Sequence, residues 1–226
     1  MDIFEGIALQ RSSTAKQVAA GLSLKITRGE INAGAPLREN AIALSLHISR
    51  NTVREAIRIL EQSGLVKHEL YRGTVVIEPS ITELAELYHA RMRLEVAAVS
   101  IEASSAGLDN LNQAFAELSR VAQLADAQEI VMKDLAFHAA TVALLGSRRI
   151  DALYKNLTRE LQFYLMVLSV EDREHERPDF VVCEHEVILD AIVGRDVGQA
   201  VQAVTAHIEK TRGRLTSILL ARTAED

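Results

Sequence analysis

The 226-residue sequence has no tryptophan, one cysteine, three prolines and only 4% aromatic residues. A lone Cys183 excludes an internal disulfide, and the first residues lack the basic-then-apolar order of a secretory signal, so a cytoplasmic setting is expected. Long apolar runs are missing as well. The most apolar stretch, Phe163 to Val170, is eight residues long, far below the roughly 18 of a membrane span, and no membrane partner is expected. A core with few aromatics must be built from Ala, Leu, Val and Ile, which suits a mainly helical protein. Hydrophobic residues at 48% and charged residues at 25% exclude a disordered chain.

A net positive charge is also missing: the chain carries −6, which as a whole argues against binding nucleic acid. The charge is unevenly spread, however. Residues 1–79 hold 10 Lys and Arg against 8 Asp and Glu, whereas the remainder holds 15 against 23; between Arg11 and Val76 the count is 10 against 5. A small basic module joined to a larger acidic one is the pattern of a DNA reader with a partner domain.

Inside the basic module, residues 49–62 (Ser-Arg-Asn-Thr-Val-Arg-Glu-Ala-Ile-Arg-Ile-Leu-Glu-Gln) carry Val53, Ile57 and Leu60 at helical spacing, with Arg50, Arg54 and Arg58 aligned on another face. Ser49 suits the N-cap, and Thr52 with Glu55 supplies a second possible start. A helix over 14–27, with Val18, Leu22 and Ile26 four apart, and a short one over 39–46 that partly buries Ala41, Ile42 and Leu44, precede it. Gly64 is placed to end it. Strand-prone residues 65–68 and 74–77 follow, flanking Glu69 to Gly73, where Gly73 supplies turn freedom and Arg72 reaches phosphate or the minor groove. Two helices across a tight turn followed by a small hairpin make a winged helix-turn-helix, whose second helix enters the major groove. Residues 1–12 read as a flexible start.

Residues 13–77 resemble the DNA-binding domain of GntR-type bacterial transcriptional regulators. The resemblance rests on Gly29 to Leu37 (GEINAGAPL), Arg38-Glu39, Ser49 to Ile57, Leu60-Glu61, Gly64 to Val66 and Arg72-Gly73. It implies that Arg50, Asn51, Thr52 and Arg54 touch bases or phosphates and that Gly73 sits at the wing tip. With Arg38, Asn40, Ser49 and Arg72 these form the candidate DNA-contact set, although relatives often have a basic residue where Asn40 stands.

Glu78-Pro79-Ser80 marks the boundary between a domain at 1–78 and one at 79–226, because Pro stops the strand and Ser80 with Glu83 makes a capping box. So short a linker is expected to transmit movement rather than absorb it. The rest reads as six helices near 81–105, 109–125, 128–145, 147–170, 178–193 and 196–221, broken at Gly107-Leu108-Asp109, Gly146-Ser147, Arg177-Pro178-Asp179 and Gly194-Arg195-Asp196. Leu84, Leu87, Met92, Leu94, Ile188 and Ile192 are the expected core stripe of an antiparallel bundle.

Four residues of this half stand out. Asp134 and His138 are four apart and share a helical face, while His185 and His207 lie on two further helices. Three imidazoles and a carboxylate suit a divalent metal, Zn first, with Ni, Mn, Fe or Co as alternatives; a surface hydrogen-bonded pair also explains Asp134 and His138. Cys183 reads as a small packed residue rather than a ligand; His47, His68, His89 and His175 are given no site role, His68 reading as a surface histidine near the wing.

Residues 80–220 are similar to the FCD ligand-binding domain of the FadR branch of GntR regulators, in its shorter, VanR-like form. The matching segments are Arg91 to Glu95, Asp134 to His138, Glu184 to Ile192, Gly194 to Asp196 and His207-Ile208. The resemblance implies that Asp134, His138, His185 and His207 ligate the metal and that Arg91 receives an effector carboxylate one turn from Glu95. An intrahelical Arg91–Glu95 ion pair is the plainer reading. Ser147 stands where the family commonly has Asn, and it completes the candidate effector set. The expected protein is a homodimeric, ligand-responsive regulator, more commonly a repressor, that binds double-stranded operator DNA and a small carboxylate such as a sugar acid. The competing readings are a metal-dependent enzyme acting on a small acid and a regulator with a purely structural metal.

Overall fold

The computed structural model describes residues 13–124, 127–172 and 178–225. The flexible start expected at 1–12, His175 and the Arg177 part of a helix break lie outside these residues. The chain divides into two compact units, Met1–Ile77 and Glu78–Asp226.

The first unit runs α1 (Thr14–Thr27), α2 (Glu39–Leu46), α3 (Arg50–Gln62), β1 (Val66–Glu69) and β2 (Gly73–Val76). α3 is the pivot of this unit: Val53, Ala56, Ile57 and Leu60 recur at three- and four-residue spacing and are at most 3% exposed, packed with Ala19, Leu22 and Ile26 of α1 in one core. Ser49 starts it, its Oγ accepting from the Thr52 N–H at 3.1 Å. Its end is set by Gly64 at φ 69°. The Gly64 N–H donates to the Glu61 carbonyl and the Leu65 N–H to that of Leu60, the paired bonds that close a helix on a left-handed residue. β1 and β2 pair antiparallel from Val66↔Val76 to Glu69↔Gly73.

Two expectations for this unit change. In α2 only Ala43 is buried, while Leu44 is 77% exposed and Ala41 also faces solvent, because a helix of two turns has one narrow inward stripe and Ala43 occupies it. At the hairpin, Tyr71 takes positive φ (68°) alongside Gly73 (75°), so the turn's left-handed conformations are shared between a glycine and a bulky residue that rarely adopts them.

The second unit contains α4 (Ile81–Val99), α5 (Ser105–Ala122), α6 (Ala127–Ala143), α7 (Arg148–Asp172), α8 (Pro178–Val193) and α9 (Val197–Glu225). No helix is long and apolar enough to cross a membrane among the described residues. α5 packs on α6 and α8, and α4 on α9, α6 and α7; Leu118, Val121, Ile130 and Val181 form one shared cluster. Ser80 caps α4 through the Glu83 N–H at 3.3 Å, but the reciprocal bond is not made by Glu83. The Ser80 N–H donates to the Tyr164 hydroxyl at 3.2 Å, an outside partner doing the second half of a capping box.

The break expected at Gly107 is displaced. α4 stops at Val99, and Ser104 caps α5 by accepting from the Gly107 N–H at 3.1 Å. Gly107 lies inside α5 for a packing reason: a Cβ there would come within 2.9 Å of Leu144 Cδ2. The inward stripe of α4 also differs from the apolar one. Leu84, Tyr88, Arg91, Glu95, Ala98 and Val99 are buried, whereas Leu87, Met92 and Leu94 are only partly so. Cys183, expected to be packed, is exposed.

Candidate functional site

Residues at α2, α3 and the hairpin carry the expected DNA contacts, and they divide by what already holds them. Arg38, Asn40, Arg50 and Asn51 are exposed. The Ser49 hydroxyl is spent on the cap and on the Thr52 hydroxyl at 2.8 Å. Arg72 donates to Glu69 at 2.7 Å and to the Gly34 carbonyl at 3.1 Å, which ties the hairpin to the loop before α2. Arg54 reaches back to α2, Nη2 to Glu39 Oε2 at 3.2 Å and Nε to Oε1 at 3.4 Å. Arg58 pairs loosely with Glu55 at 3.7 Å.

In the second unit, the four predicted ligands converge. Asp134 and His138 come from successive turns of α6, His185 from α8 and His207 from α9, and their ligand atoms lie within 4.8 Å of one another. His138 Nε2 is 3.1 Å from His207 Nε2 and 3.2 Å from His185 Nε2, and Asp134 Oδ1 is 2.8 Å from His185 Nε2. Nitrogens held about 2.0–2.1 Å from a common metal ion are spaced about this far apart. The three imidazoles are at most 8% exposed, and the Phe137 ring walls the site edge-on to His138 and His185.

The other ring nitrogens explain the orientation. His138 Nδ1 lies 2.8 Å from Glu95 Oε2, His185 Nδ1 2.7 Å from the Val181 carbonyl, and His207 Nδ1 3.3 Å from Glu184 Oε2. Each acceptor draws the ring proton to Nδ1 and leaves Nε2 facing the shared centre, as in metal-bound histidines. Burial and the neighbouring Arg91 charge lower the pKa of His138. Burial likewise pushes His207 down to about 3 despite Glu184, helped by His185 and His138. Both are therefore neutral near pH 7. Burial opposes charge on His185 too, but Asp134 outweighs it and raises that pKa, so a metal at this centre would compete with a proton on His185.

Several residues that sequence reasoning missed complete the site. Tyr154 donates to Glu95 Oε1 at 2.6 Å, and Glu184 bridges His207 to Lys210. Glu95, expected at the effector, instead uses both oxygens on Arg91, Tyr154 and His138. Burial works against its charge, yet His138 and Arg91 hold its carboxyl well below the usual range. Glu184 stands beside His185 in the sequence, a signal that could have found it; nothing in the spacing marks Tyr154. The expected Ser147 is not among the gathered residues and sits at the start of α7, its Oγ 3.5 Å from the Ile150 N–H.

Arg91 is the most unusual group. It is 0% exposed, its Nε donates to Glu95 at 2.7 Å, and its ring-side neighbour is Tyr88, 5.6 Å from the guanidinium. Both terminal nitrogens, Nη1 and Nη2, are buried with no hydrogen-bond partner among the described residues. Unsatisfied buried donors of a charged group are costly, so this fork has two donors open to an acceptor. Its charge acts on Asp134 and His207, which places it at the same centre.

Comparison with known proteins matches residues 14–76 to "Bacterial regulatory proteins, gntR family" and residues 86–210 to the FCD domain. The chain belongs to the GntR family of bacterial regulators. It is 26% identical over 224 residues to the gluconate operon transcriptional repressor of Bacillus licheniformis, covering 95% of this chain and 90% of that protein. The "Probable D-xylose utilization operon transcriptional repressor" of Paenarthrobacter nicotinovorans is 27% identical over 202 residues, covering 88% of each chain. Among solved structures, a GntR regulator from Rhodococcus sp. RHA1 superposes with a TM-score of 0.78 at 30% identity, over 91% of this chain and 99% of that one. The protein is accordingly a DNA-binding transcriptional regulator, as its family and relatives are, and not an enzyme.

Proposed function

We propose that this GntR regulator is a homodimeric repressor whose DNA binding is controlled by a small carboxylate held jointly by Arg91 and a divalent metal. The observation that carries the reading is the buried Arg91 fork with two unpartnered nitrogens beside three converging imidazoles. Asp134, His138, His185 and His207 would hold the metal, zinc being favoured by three nitrogens and one oxygen. When bound, the ion supplies a Lewis-acid point of attachment for a carboxylate or hydroxyl oxygen, and Arg91 supplies a fixed, bidentate donor pair. The gluconate operon repressors among the relatives favour a sugar acid. Control requires only that the acid bind the DNA-competent and incompetent states with different affinity.

In this reading the first unit reads DNA through Arg38, Asn40, Arg50, Asn51, Thr52 and Arg54, with Ser49 setting the helix start and Arg72 and Gly73 shaping the wing. Paired heads of a dimer would read two half-sites. The test uses full-length protein purified without chelators. Metal content is measured first, then the melting temperature with D-gluconate, related hydroxy acids and their uncharged alcohols. Acids should raise the melting temperature of metal-loaded protein, and Arg91→Lys, which keeps the charge but loses the fork, should abolish that rise. Equal stabilisation by the uncharged alcohols, or full metal loading with no response to any acid, would leave a structural metal as the better account.

A further inference from the structure

An acidic side chain at the DNA-facing edge of a basic module is counterproductive unless it has a task. Glu39 opens α2, where its charge is favoured by the helix N-terminus, and its carboxylate is directed across fifteen residues of sequence to Arg54 on α3. Both oxygens are used: Oε2 takes Nη2 at 3.2 Å and Oε1 takes Nε at 3.4 Å. Glu39 is the more shielded partner, its side chain 28% exposed against 48% for Arg54. Nη1 makes no hydrogen bond within the described residues. One edge of the guanidinium is therefore fastened to the protein, and the opposite edge, Nη1 with the second hydrogen of Nη2, is left outward.

From this geometry we infer that Glu39 is a positioning residue that makes Arg54 a reader of a base rather than a phosphate anchor. A guanidinium fixed along its Nε–Nη2 edge has lost most of its rotational freedom, and its free edge has the two parallel donors that match O6 and N7 of guanine. Glu39 also adds negative charge beside the backbone, which weakens indiscriminate attachment. Arg50, one turn earlier and without such a clasp, keeps the freedom suited to phosphate. The inference rests on the DNA-reading role given above.

The test begins with the full-length wild-type protein and a randomised duplex library, from which a preferred duplex is selected. Affinities for that duplex and for a scrambled one are then measured across a salt titration for wild type, Glu39→Gln, Arg54→Ala and the double variant. Glu39→Gln should lower the preference for the selected duplex about tenfold while leaving binding to the scrambled duplex equal or tighter, with unchanged melting temperature. The double variant should be no worse than Arg54→Ala alone, because the two act as one unit. Replacing the read guanine with 7-deazaguanine should harm wild type and spare Glu39→Gln. Preference unchanged in Glu39→Gln, equal losses on both duplexes, or additive losses in the double variant would overturn the inference. Failure of wild type to select any duplex would instead overturn the DNA-reading role itself.

Discussion

Each unit of the molecule contains an arginine–glutamate pair, and the two are opposites. Arg54 and Glu39 meet at the surface, with side chains 48% and 28% exposed; Arg91 and Glu95 meet at 2.7 Å with both at 0%. Water screens the first pair, so its net worth is about 0–1 kcal/mol, and the arginine can turn its free donors to another partner at little cost. The second pair lies where an unmatched charge is expensive, so it holds its geometry whether or not a ligand is present. The surface carboxylate steers an arginine that stays in water, whereas the buried one fixes an arginine that water does not reach.

The largest way to break that contrast is Glu95→Ala. It leaves the Arg91 charge, the Tyr154 hydroxyl and His138 Nδ1 without their shared acceptor, and removing one partner of a buried pair typically costs about 3–5 kcal/mol. Denaturant unfolding of the metal-free protein should show a loss of that order. A loss below about 1 kcal/mol would mean that water reaches the Arg91 fork and that the site is not the dry one described.

Metal affinity comes next. His185→Ala removes the imidazole whose Nε2 lies 2.8 Å from Asp134, and should weaken metal binding by more than Glu184→Gln, which only loosens His207. Outer-shell partners of this kind are worth about 10–100-fold. Competition against a chromogenic chelator ranks the two variants. If Glu184→Gln binds metal like wild type, Glu184 serves Lys210 alone.

How legible each unit was follows from where its information lies. The reading helix is one contiguous run: its cap, apolar stripe and glycine stop are local, and Ser49, Val53, Ile57 and Gly64 all take the places their chemistry dictates. The four metal-site candidates were visible as residue types, because Asp134 and His138 sit one turn apart and the matching family segments pointed to His185 and His207. Their supports were not. Glu95 to His138, Tyr154 to Glu95 and Glu184 to His207 join different helices, and no spacing along the chain encodes a contact between helices. The same limit misplaced the inward face of α4: hydrophobicity favours Leu87 and Leu94, but the bundle turns Arg91 and Glu95 inward to serve the site. Gly107 misled for a related reason, since a glycine kept small for Leu144 looks in sequence like one kept for a turn.

A smaller effect sharpens the comparison inside the reading unit. Arg54→Ala should cost about 1–3 kcal/mol of discrimination between a preferred and a mismatched duplex. Arg72→Ala should weaken both duplexes by a similar factor, since that side chain is committed to Glu69 and the Gly34 carbonyl and holds the shape of the wing rather than a base. Equal behaviour of the two variants would mean that the fastened arginine and the wing arginine are not doing different jobs.

The smallest expected effect applies to the surface pair the substitution already made in the buried one. Glu39→Ala removes an acceptor from Arg54, but the freed guanidinium is hydrated at once and no donor is left buried, so unfolding free energy should change by at most about 1 kcal/mol. The same denaturation that measures Glu95→Ala measures it. A loss of about 3 kcal/mol or more would make Glu39 a structural brace between α2 and α3 rather than a residue that only positions its arginine. A small loss combined with poorer discrimination on DNA would separate aim from stability, which the buried pair cannot do because there both depend on the same carboxylate.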